Sequence, residues 1–242
     1  MHRLLVDSGL LKEDSPSLSG AAMRHFRVLR PEAGERFELF DGKGSWRHFA
    51  AADPRAGVLQ AVSPIAFEPL AELKVTLFAC VTKGSRWDWT IEKATELGAG
   101  SIVPVISERT IVRIPPSERG SKRERWLRIA EDAARQSDAK WIPEICAPVE
   151  FPDAVKMAAE TACFVGALTA SPSPLLLAAI ERYGEAPSGG YSVFIGPEGD
   201  FTPGELAALL AVANPTSFGK SVLRAETAAI FALSVLTAAV RR

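Results

Sequence analysis

From residue 75 onward, short apolar runs alternate with segments whose apolar side chains recur at helical spacing. The run at 75–81 is continuous, as expected of a strand that is covered on both faces. Between 122 and 137, Trp126, Ile129 and Ala133 fall on one helical face. Because strands that alternate with helices build a mainly parallel sheet, the pattern predicts an α/β domain.

The predicted strands of this domain lie at 75–81, 102–106, 141–145, 163–167, 193–196 and 216–218, and the predicted helices at 88–97, 122–137, 174–183, 203–210 and 226–240. Gly98 is the expected C-terminal cap of the first of these helices. Thr202 and Glu205 have the spacing of a capping box, and Pro203 occupies the first helical position. The helix at 203–210 therefore has a well-specified beginning.

The first 70 residues follow a different pattern. Charged and apolar side chains alternate at 35–40, as in a half-buried strand, and Asp41-Gly42 is typical of a hairpin turn. Apolar runs near 46–52 and 58–62 complete a meander that closes into a small barrel, with a helical insert at 19–29. With a boundary near 69–73, we predict two domains, at 1–70 and 73–242.

Composition excludes several classes of protein. With 47% apolar and 24% charged residues in 242, the chain is neither disordered nor a coiled coil. Its net charge of −1 argues against a protein that coats nucleic acid through bulk charge. Residues 109–128, however, contain seven basic side chains against Glu118 and Glu124. This segment is either a solvated helix and loop or a phosphate-contacting surface, since arginine donates bidentately to phosphate.

Neither a metal site nor a membrane span is expected. Cys80, Cys146 and Cys163 are far apart, and no Cys-x-x-Cys or Cys/His cluster occurs. The uncharged stretch at 161–180 is long enough to span a bilayer, but its two prolines favour strand, loop and helix start. We therefore expect a cytoplasmic, metal-free protein.

Three loops that follow predicted strands have unusual compositions, at 166–170, 195–201 and 217–225. Open α/β sheets bind ligands at the carboxyl ends of their strands, so these loops predict one shared site. Taken alone, Gly196 and Gly199 favour an ordinary turn. Gly219-Lys220-Ser221 resembles the end of a phosphate-binding P-loop, but Asn214 stands where that motif requires glycine.

Five ordered motifs then identify a family, at 83–89, 92–98, 107–110, 195–199 and 223–228. They closely resemble the 16S ribosomal RNA uridine-N3 methyltransferases (RsmE type) of the SPOUT superfamily, and the resemblance extends to 25–30 and 39–42. It implies a PUA-like β-barrel at 1–70 that helps to bind RNA, and a SPOUT domain at 73–242 with a C-terminal trefoil knot. It also implies a homodimer that uses S-adenosyl-L-methionine to methylate N3 of one uridine in the decoding region of 16S ribosomal RNA, in the small ribosomal subunit.

The resemblance also implies roles for individual residues. Arg224 is the expected catalytic cation beside the uracil oxygens, and Glu226 is expected to orient it, to act as a base, or to offset a helix dipole. The expected cofactor-binding residues are Leu168, Thr169, Ile195, Gly196, Pro197, Gly199, Phe218, Gly219, Leu223, Ala225 and Thr227. The expected RNA contacts are Arg3, Arg24, Arg27, Arg30, Lys83, Arg86, Arg109, Arg113, Arg123 and Lys220.

The sequence departs from the family's usual pattern in three places. Asp200 replaces a glycine, Asp138-Ala139 replaces Gly-Arg, and 218–221 replaces Leu-Gly-Pro-Arg. Two other functions fit parts of the chain. One is a non-catalytic RNA-binding module in which Asp200 prevents cofactor binding, and the other is a nucleotide hydrolase that uses Gly219-Lys220-Ser221.

Overall fold

The computed structural model describes residues 1–70, 74–166, 173–183 and 187–240. They form two compact units. Met1–Leu70 and Glu131–Ile142 make the first, and the described residues of Ala71–Ala130 and Pro143–Arg242 make the second. Residues 131–142, which the sequence pattern places within the second domain, thus group with the amino-terminal part of the chain. Each unit has a sheet of its own.

The first unit contains β1 (His2–Leu5), a 3-10 helix (Leu10–Lys12), α1 (Gly20–Leu29), β2 (Arg36–Phe40), β3 (Ser45–Asp53), β4 (Val58–Ala61) and β5 (Ala66–Phe67). Its sheet has the order β1-β2-β3-β4, with β5 beside β3. β1 runs parallel to β2, and the other pairs are antiparallel. β1 and β4 lie at the ends of this order, and the described strands show no pairing between these two that would close the barrel that the meander predicts.

A buried ionic network lies within the first unit. The Arg3 Nε and the Lys140 Nζ both donate to Glu38 Oε1, each at 2.7 Å, and Lys140 also donates to Asp138 Oδ1 at 2.9 Å. Asp138 has a left-handed backbone (φ 61°) at a position where the family usually has glycine. The hydrogen bond from Lys140 lowers the pKa of the Asp138 carboxyl.

Arg3 is the one predicted RNA contact that this network removes from the surface. Its side chain is 7% exposed, and its guanidinium also donates to the Ala139 carbonyl at 3.0 Å. A buried guanidinium is stable only when hydrogen-bond and ion-pair partners compensate its charge, and for Arg3 these partners are groups of the protein itself. The expectation that Arg3 contributes to an exposed basic face is therefore wrong.

The second unit contains β6 (Val75–Cys80), α2 (Ser85–Glu96), β7 (Ser101–Ile106), the first part of α3 (Pro116–Gln136), β8 (Glu144–Ile145), β9 (Val149–Glu150), α4 (Phe151–Ala158), β10 (Ala162–Gly166), α5 (Leu176–Tyr183), β11 (Tyr191–Ile195), α6 (Pro203–Leu210), β12 (Ala213–Thr216) and α7 (Ala225–Val240). Its sheet has the order β12-β10-β11-β6-β7-β8, with β9 beside β7, and every pair is parallel. The α/β prediction is confirmed. The carboxyl ends of β6, β10, β11 and β12 meet at one edge of the sheet.

The structure differs from the predicted elements in a few places. α3 begins at Pro116, six residues before the predicted start, and α4 was not predicted. The strand expected at 141–145 is only Glu144–Ile145, because Trp141 bridges to Lys43 and donates its indole N–H to the Glu68 carbonyl at 2.8 Å. The last strand lies at Ala213–Thr216, slightly before the predicted 216–218.

Candidate functional site

A cavity of about 540 Å³ opens at the carboxyl edge of the second unit's sheet. It lies beside the ends of β10, β11 and β12 and the beginning of α7. Its lining residues are Arg86, Gly166, Ile195, Gly196, Pro197, Glu198, Asp200, Thr216, Ser217, Phe218, Gly219, Ser221, Val222, Leu223, Arg224, Ala225 and Ala228. The loops at 195–201 and 217–225 therefore line one cavity together with Gly166, while 167–170 of the third selected loop lie outside the described residues.

The loop after β11 is a tight turn held by its own hydrogen bonds. The Asp200 N–H donates to the Pro197 carbonyl at 3.0 Å, and the Phe201 N–H donates to Asp200 Oδ1 at 2.8 Å. Asp200 adopts a left-handed backbone (φ 57°), which aspartate tolerates better than most residues. The capping box at Thr202 and Glu205 is formed as predicted and starts α6 directly after the turn.

Phe218 forms part of the opposite side of the cavity and packs against Gly166 at the end of β10. A Cβ atom at Gly166 would lie 2.3 Å from a carbon of the Phe218 ring, so only glycine fits there with this ring position. The ring also packs against Phe231 of α7, at 5.8 Å between ring centroids. The absence of a side chain at Gly166 therefore decides where the Phe218 ring lies.

Charged groups stand on both sides of the cavity. Arg86 Nη1 donates to Glu198 Oε1 at 3.2 Å. Arg224 is exposed to the cavity and has no ion-pair partner within the described chain. Glu226 does not line the cavity, and its Oε2 is buried without a hydrogen-bond donor among the residues described. One guanidinium at the cavity is thus paired, and the other is available to a ligand.

The predicted cofactor residues divide into three groups. Seven line the cavity: Ile195, Gly196, Pro197, Phe218, Gly219, Leu223 and Ala225. Gly199 and Thr227 do not line it, and Leu168 and Thr169 lie outside the described residues. Glu198, Thr216, Ser217, Ser221, Val222 and Ala228 also line it, although they were not among the expected cofactor residues. All but Thr216 lie within the motifs or loops that the sequence pattern selected, and that position was the available signal.

The predicted RNA contacts of the second unit are all exposed: Lys83, Arg86, Arg109, Arg113, Arg123 and Lys220. Three of them donate to backbone carbonyls. Arg109 donates to Gly199 at 2.9 Å, Arg123 donates to Ile145 at 2.7 Å, and Arg113 donates to two carbonyls of the loop after β7. These three side chains thus have structural partners already.

Three predicted RNA contacts of the first unit lie on α1 or at its end. Arg24, Arg27 and Arg30 are exposed, and none has an ion-pair partner in the described part of the chain. Their charge is therefore not neutralised within the unit, as a phosphate-contacting surface requires.

Two of the three cysteines, Cys80 and Cys163, are buried. Burial raises the pKa of the Cys80 thiol to about 11 and that of the Cys163 thiol to about 12, so both stay protonated at neutral pH. Over the described ranges, no three His, Cys, Asp or Glu side chains are grouped to hold a metal ion. Over the same ranges, no helix is both long enough and apolar enough to cross a membrane.

Comparisons with known proteins cover both units. Residues 69–237 match the family model described as an RNA methyltransferase domain. The ribosomal RNA small subunit methyltransferase E of Synechocystis sp. is 33% identical over 249 residues, which span 98% of this chain and 77% of that protein. The corresponding Aquifex aeolicus protein is 30% identical over 218 residues, which span 88% and 90%.

Two solved structures are similar over nearly their whole length. A Legionella pneumophila methyltransferase in complex with the cofactor SAM matches with a TM-score of 0.85 and 30% identity, over 98% of this chain and 97% of that one. The ribosomal RNA small subunit methyltransferase E of Neisseria gonorrhoeae, bound to S-adenosyl methionine, matches with a TM-score of 0.82 and 28% identity, over 99% and 98%.

Proposed function

This chain belongs to the ribosomal RNA small subunit methyltransferase E family, and on that premise we propose that it is an S-adenosylmethionine-dependent enzyme that methylates N3 of one uridine in the decoding region of 16S ribosomal RNA. The observation that carries the proposal is the 540 Å³ cavity at the sheet edge. Its lining comes from the loops that contain the family's motifs.

We further propose the finer architecture and the assembly that the family implies: a trefoil knot in 73–242, a PUA-like barrel in 1–70, and a homodimer that acts in the cytoplasm. β11 enters the sheet between β6 and β10, although it follows both in the chain, and this crossing supports a knot. α2 packs against α7, and their Trp89 and Phe231 are 42% and 39% exposed, which supports a protein–protein surface.

The cavity fits the proposed cofactor in size and in chemistry. Small-molecule sites measure about 300–1,000 Å³ and combine apolar surface with a few polar groups. The Phe218 ring packs against Gly166, where a Cβ atom would lie 2.3 Å from the ring. The Phe201 ring packs against Gly196, where a Cβ atom would lie 3.1 Å from the ring. Backbone groups of Gly196, Phe218 and Leu223 would hold the cofactor. When bound, S-adenosylmethionine supplies an electrophilic methyl group on a sulfonium centre.

The chain's own groups must make uracil N3 nucleophilic, because this nitrogen carries a proton. Arg224 would stabilise the negative charge that spreads onto the uracil carbonyl oxygens when that proton leaves. Glu226, whose Oε2 is unpaired but which does not line the cavity, would either accept the proton or orient Arg224. The loops of the cavity would align the two reactants, an effect that supplies about 7–11 kcal/mol in favourable cases.

A second candidate is an RNA-binding module of the same fold that has lost its cofactor site through Asp200. Asp200 lines the cavity. However, Asp200 keeps the turn formed: its backbone is left-handed, and its Oδ1 accepts from the Phe201 N–H. The intact turn supports the enzyme.

Titration calorimetry with S-adenosylmethionine separates the two candidates. Micromolar binding that is lost when Gly196 is replaced by a bulky residue supports the enzyme, and absence of heat with intact RNA binding supports the module. A parallel titration with ATP and Mg²⁺ tests a nucleotide hydrolase, for which Lys220 would have to face the phosphates. Lys220 is exposed but does not line the cavity, so no binding is expected.

A further inference from the structure

Arg109 contacts the loop after β11 but does not belong to the lining of the cavity. Its Nη1 donates to the Gly199 carbonyl at 2.9 Å and approaches the Phe201 carbonyl at 3.5 Å. Arg109 itself does not line the cavity, whereas the neighbouring Pro197, Glu198 and Asp200 do. Some residues of this short turn therefore line the cavity, while an arginine outside the lining holds two of its carbonyls.

A second hydrogen bond joins the same two segments. Glu205 Oε1 accepts from the Glu108 N–H at 2.8 Å, while its Oε2 accepts from the Thr202 N–H at 3.0 Å. The carboxylate that completes the capping box of α6 thus also contacts the loop after β7. Two hydrogen bonds thus run from the loop after β7 to residues 199–205. The Arg109 guanidinium donates one to the Gly199 carbonyl, and the Glu108 N–H donates the other to the Glu205 carboxylate.

The loop after β7 is rigid enough to serve as a support. The Thr110 hydroxyl accepts from the Ser107 N–H at 2.9 Å, and both residues are buried. Arg113 donates through Nη1 to the Ser107 carbonyl at 3.2 Å and through Nη2 to the Glu108 carbonyl. A guanidinium that holds two successive carbonyls restricts the backbone on which Arg109 stands.

We propose that Arg109 is a positioning residue for the cofactor loop rather than an RNA contact, and that Glu205 acts with it. The two side chains hold residues 199–202 from outside, so that Gly196, Pro197 and Asp200 keep their places in the lining. This role rests on the proposed function, because it assigns the loop to the cofactor. It replaces the RNA-binding role that the sequence pattern predicted for Arg109.

The experiment compares Arg109→Ala with Arg128→Ala, which removes the same charge from an exposed position of α3 without an ion-pair partner in the described chain. Calorimetry measures the affinity for S-adenosylmethionine, and filter binding measures the affinity for 16S RNA. Arg109→Ala should lower the affinity for S-adenosylmethionine about tenfold, as expected for loss of a charge-assisted hydrogen bond. It should lower the affinity for 16S RNA no more than Arg128→Ala does. An unchanged cofactor affinity with a larger loss of RNA affinity would overturn the proposal.

Steady-state kinetics and a conservative variant distinguish a role in positioning from a general loss of stability. Arg109→Ala should raise KM for the cofactor with little change in kcat, at a temperature where both variants are fully folded. Arg109→Lys keeps the charge but not the planar guanidinium, so the affinity for the cofactor should stay below that of wild type while the affinity for RNA equals that of wild type. Full recovery of cofactor affinity by lysine would count against a role of the guanidinium in positioning.

Hydrogen exchange separates this proposal from the proposed function. In the protein without cofactor, Arg109→Ala should accelerate exchange of the amides of 198–202 by about tenfold relative to wild type and Arg128→Ala. If the wild-type chain did not bind S-adenosylmethionine, the proposed function would fail, whereas the effect on exchange would still test whether Arg109 holds the loop. Unchanged exchange would refute the positioning role.

Discussion

Replacing Gly166 by alanine should damage the cofactor site without damaging the fold. The backbone at Gly166 lies outside the left-handed region, so alanine is compatible with its conformation. The added Cβ, however, would stand 2.3 Å from one Phe218 ring carbon and 2.7 Å from another. Ordinary carbon–carbon contacts are about 3.5–4.0 Å, so the ring must move by roughly 1 Å or more.

The displaced ring has little free space. Phe231 packs against Phe218, and Phe218 lines the cavity, so a shift of the ring changes the shape of the site. Overpacking of this kind costs about 1–3 kcal/mol. If the cofactor-bound form bears that cost, the affinity for S-adenosylmethionine should fall by about 5- to 150-fold, since about 1.4 kcal/mol corresponds to a factor of ten.

Calorimetry and thermal unfolding provide the assay, with Gly120→Ala as the matched control. Gly120 lies within α3, and a Cβ there would meet no atom within 4 Å. The control should therefore bind cofactor as wild type does and should be more stable by about 0.5–1 kcal/mol. A Gly166→Ala protein with wild-type affinity for S-adenosylmethionine would refute the assignment of Phe218 to the site.

Three further predictions concern the catalytic cation, the buried network and the cysteines. Arg224→Ala should lower the single-turnover methylation rate by about 10²–10³-fold while cofactor affinity changes little, and a wild-type rate with normal RNA binding would remove Arg224 from the mechanism. Glu38→Ala leaves Arg3 and Lys140 buried with only the exposed Asp138 as an acidic partner and should cost about 3 kcal/mol in urea unfolding, whereas Asp14→Ala, which removes an exposed carboxylate from Arg47, should cost about 0–1 kcal/mol. Burial raises the pKa of the Cys80 and Cys163 thiols above the unfolded value of 9.0, so these thiols stay protonated to higher pH in the folded state than in the unfolded state. The free energy of unfolding should therefore fall as pH rises above about 9. The Cys80→Ala and Cys163→Ala variants should show a weaker fall.

Local patterns in the sequence were sufficient for most elements of the second unit. The spacing of Thr202, Pro203 and Glu205 predicted the beginning of α6 to the residue, because capping depends on neighbours in the chain. α4 was missed because its apolar residues adjoin the short strand β9, and Pro152 near its start is typical of a loop as well as of a first helical turn.

The placement of Arg3 could not be predicted in the same way. Its partners lie far away in the sequence: Glu38 is separated from it by 35 positions, and Ala139 by 136. No local pattern distinguishes such a residue from an exposed arginine. The same limit applies to Arg109, whose role depends on a contact with Gly199 across 90 positions.

The composition of the loops predicted the cavity better than it predicted the function of each residue. Glycines and a helix start at 195–203 marked a place where backbone approaches a ligand, and seven of the expected cofactor residues line the cavity. The side chains of Glu198, Ser217 and Val222 entered the lining because of the paths of their loops. Only the fold determines those paths.

Mass spectrometry of 16S ribosomal RNA tests the central claim most directly. Purified small subunits from cells that lack the enzyme would be incubated with this chain and S-adenosylmethionine, with Arg224→Ala as the inactive control. We predict one new N3-methyluridine per subunit, in the decoding region, with wild-type chain only. Cofactor binding without any methylated uridine, or a methyl group on another base, would contradict the proposed reaction.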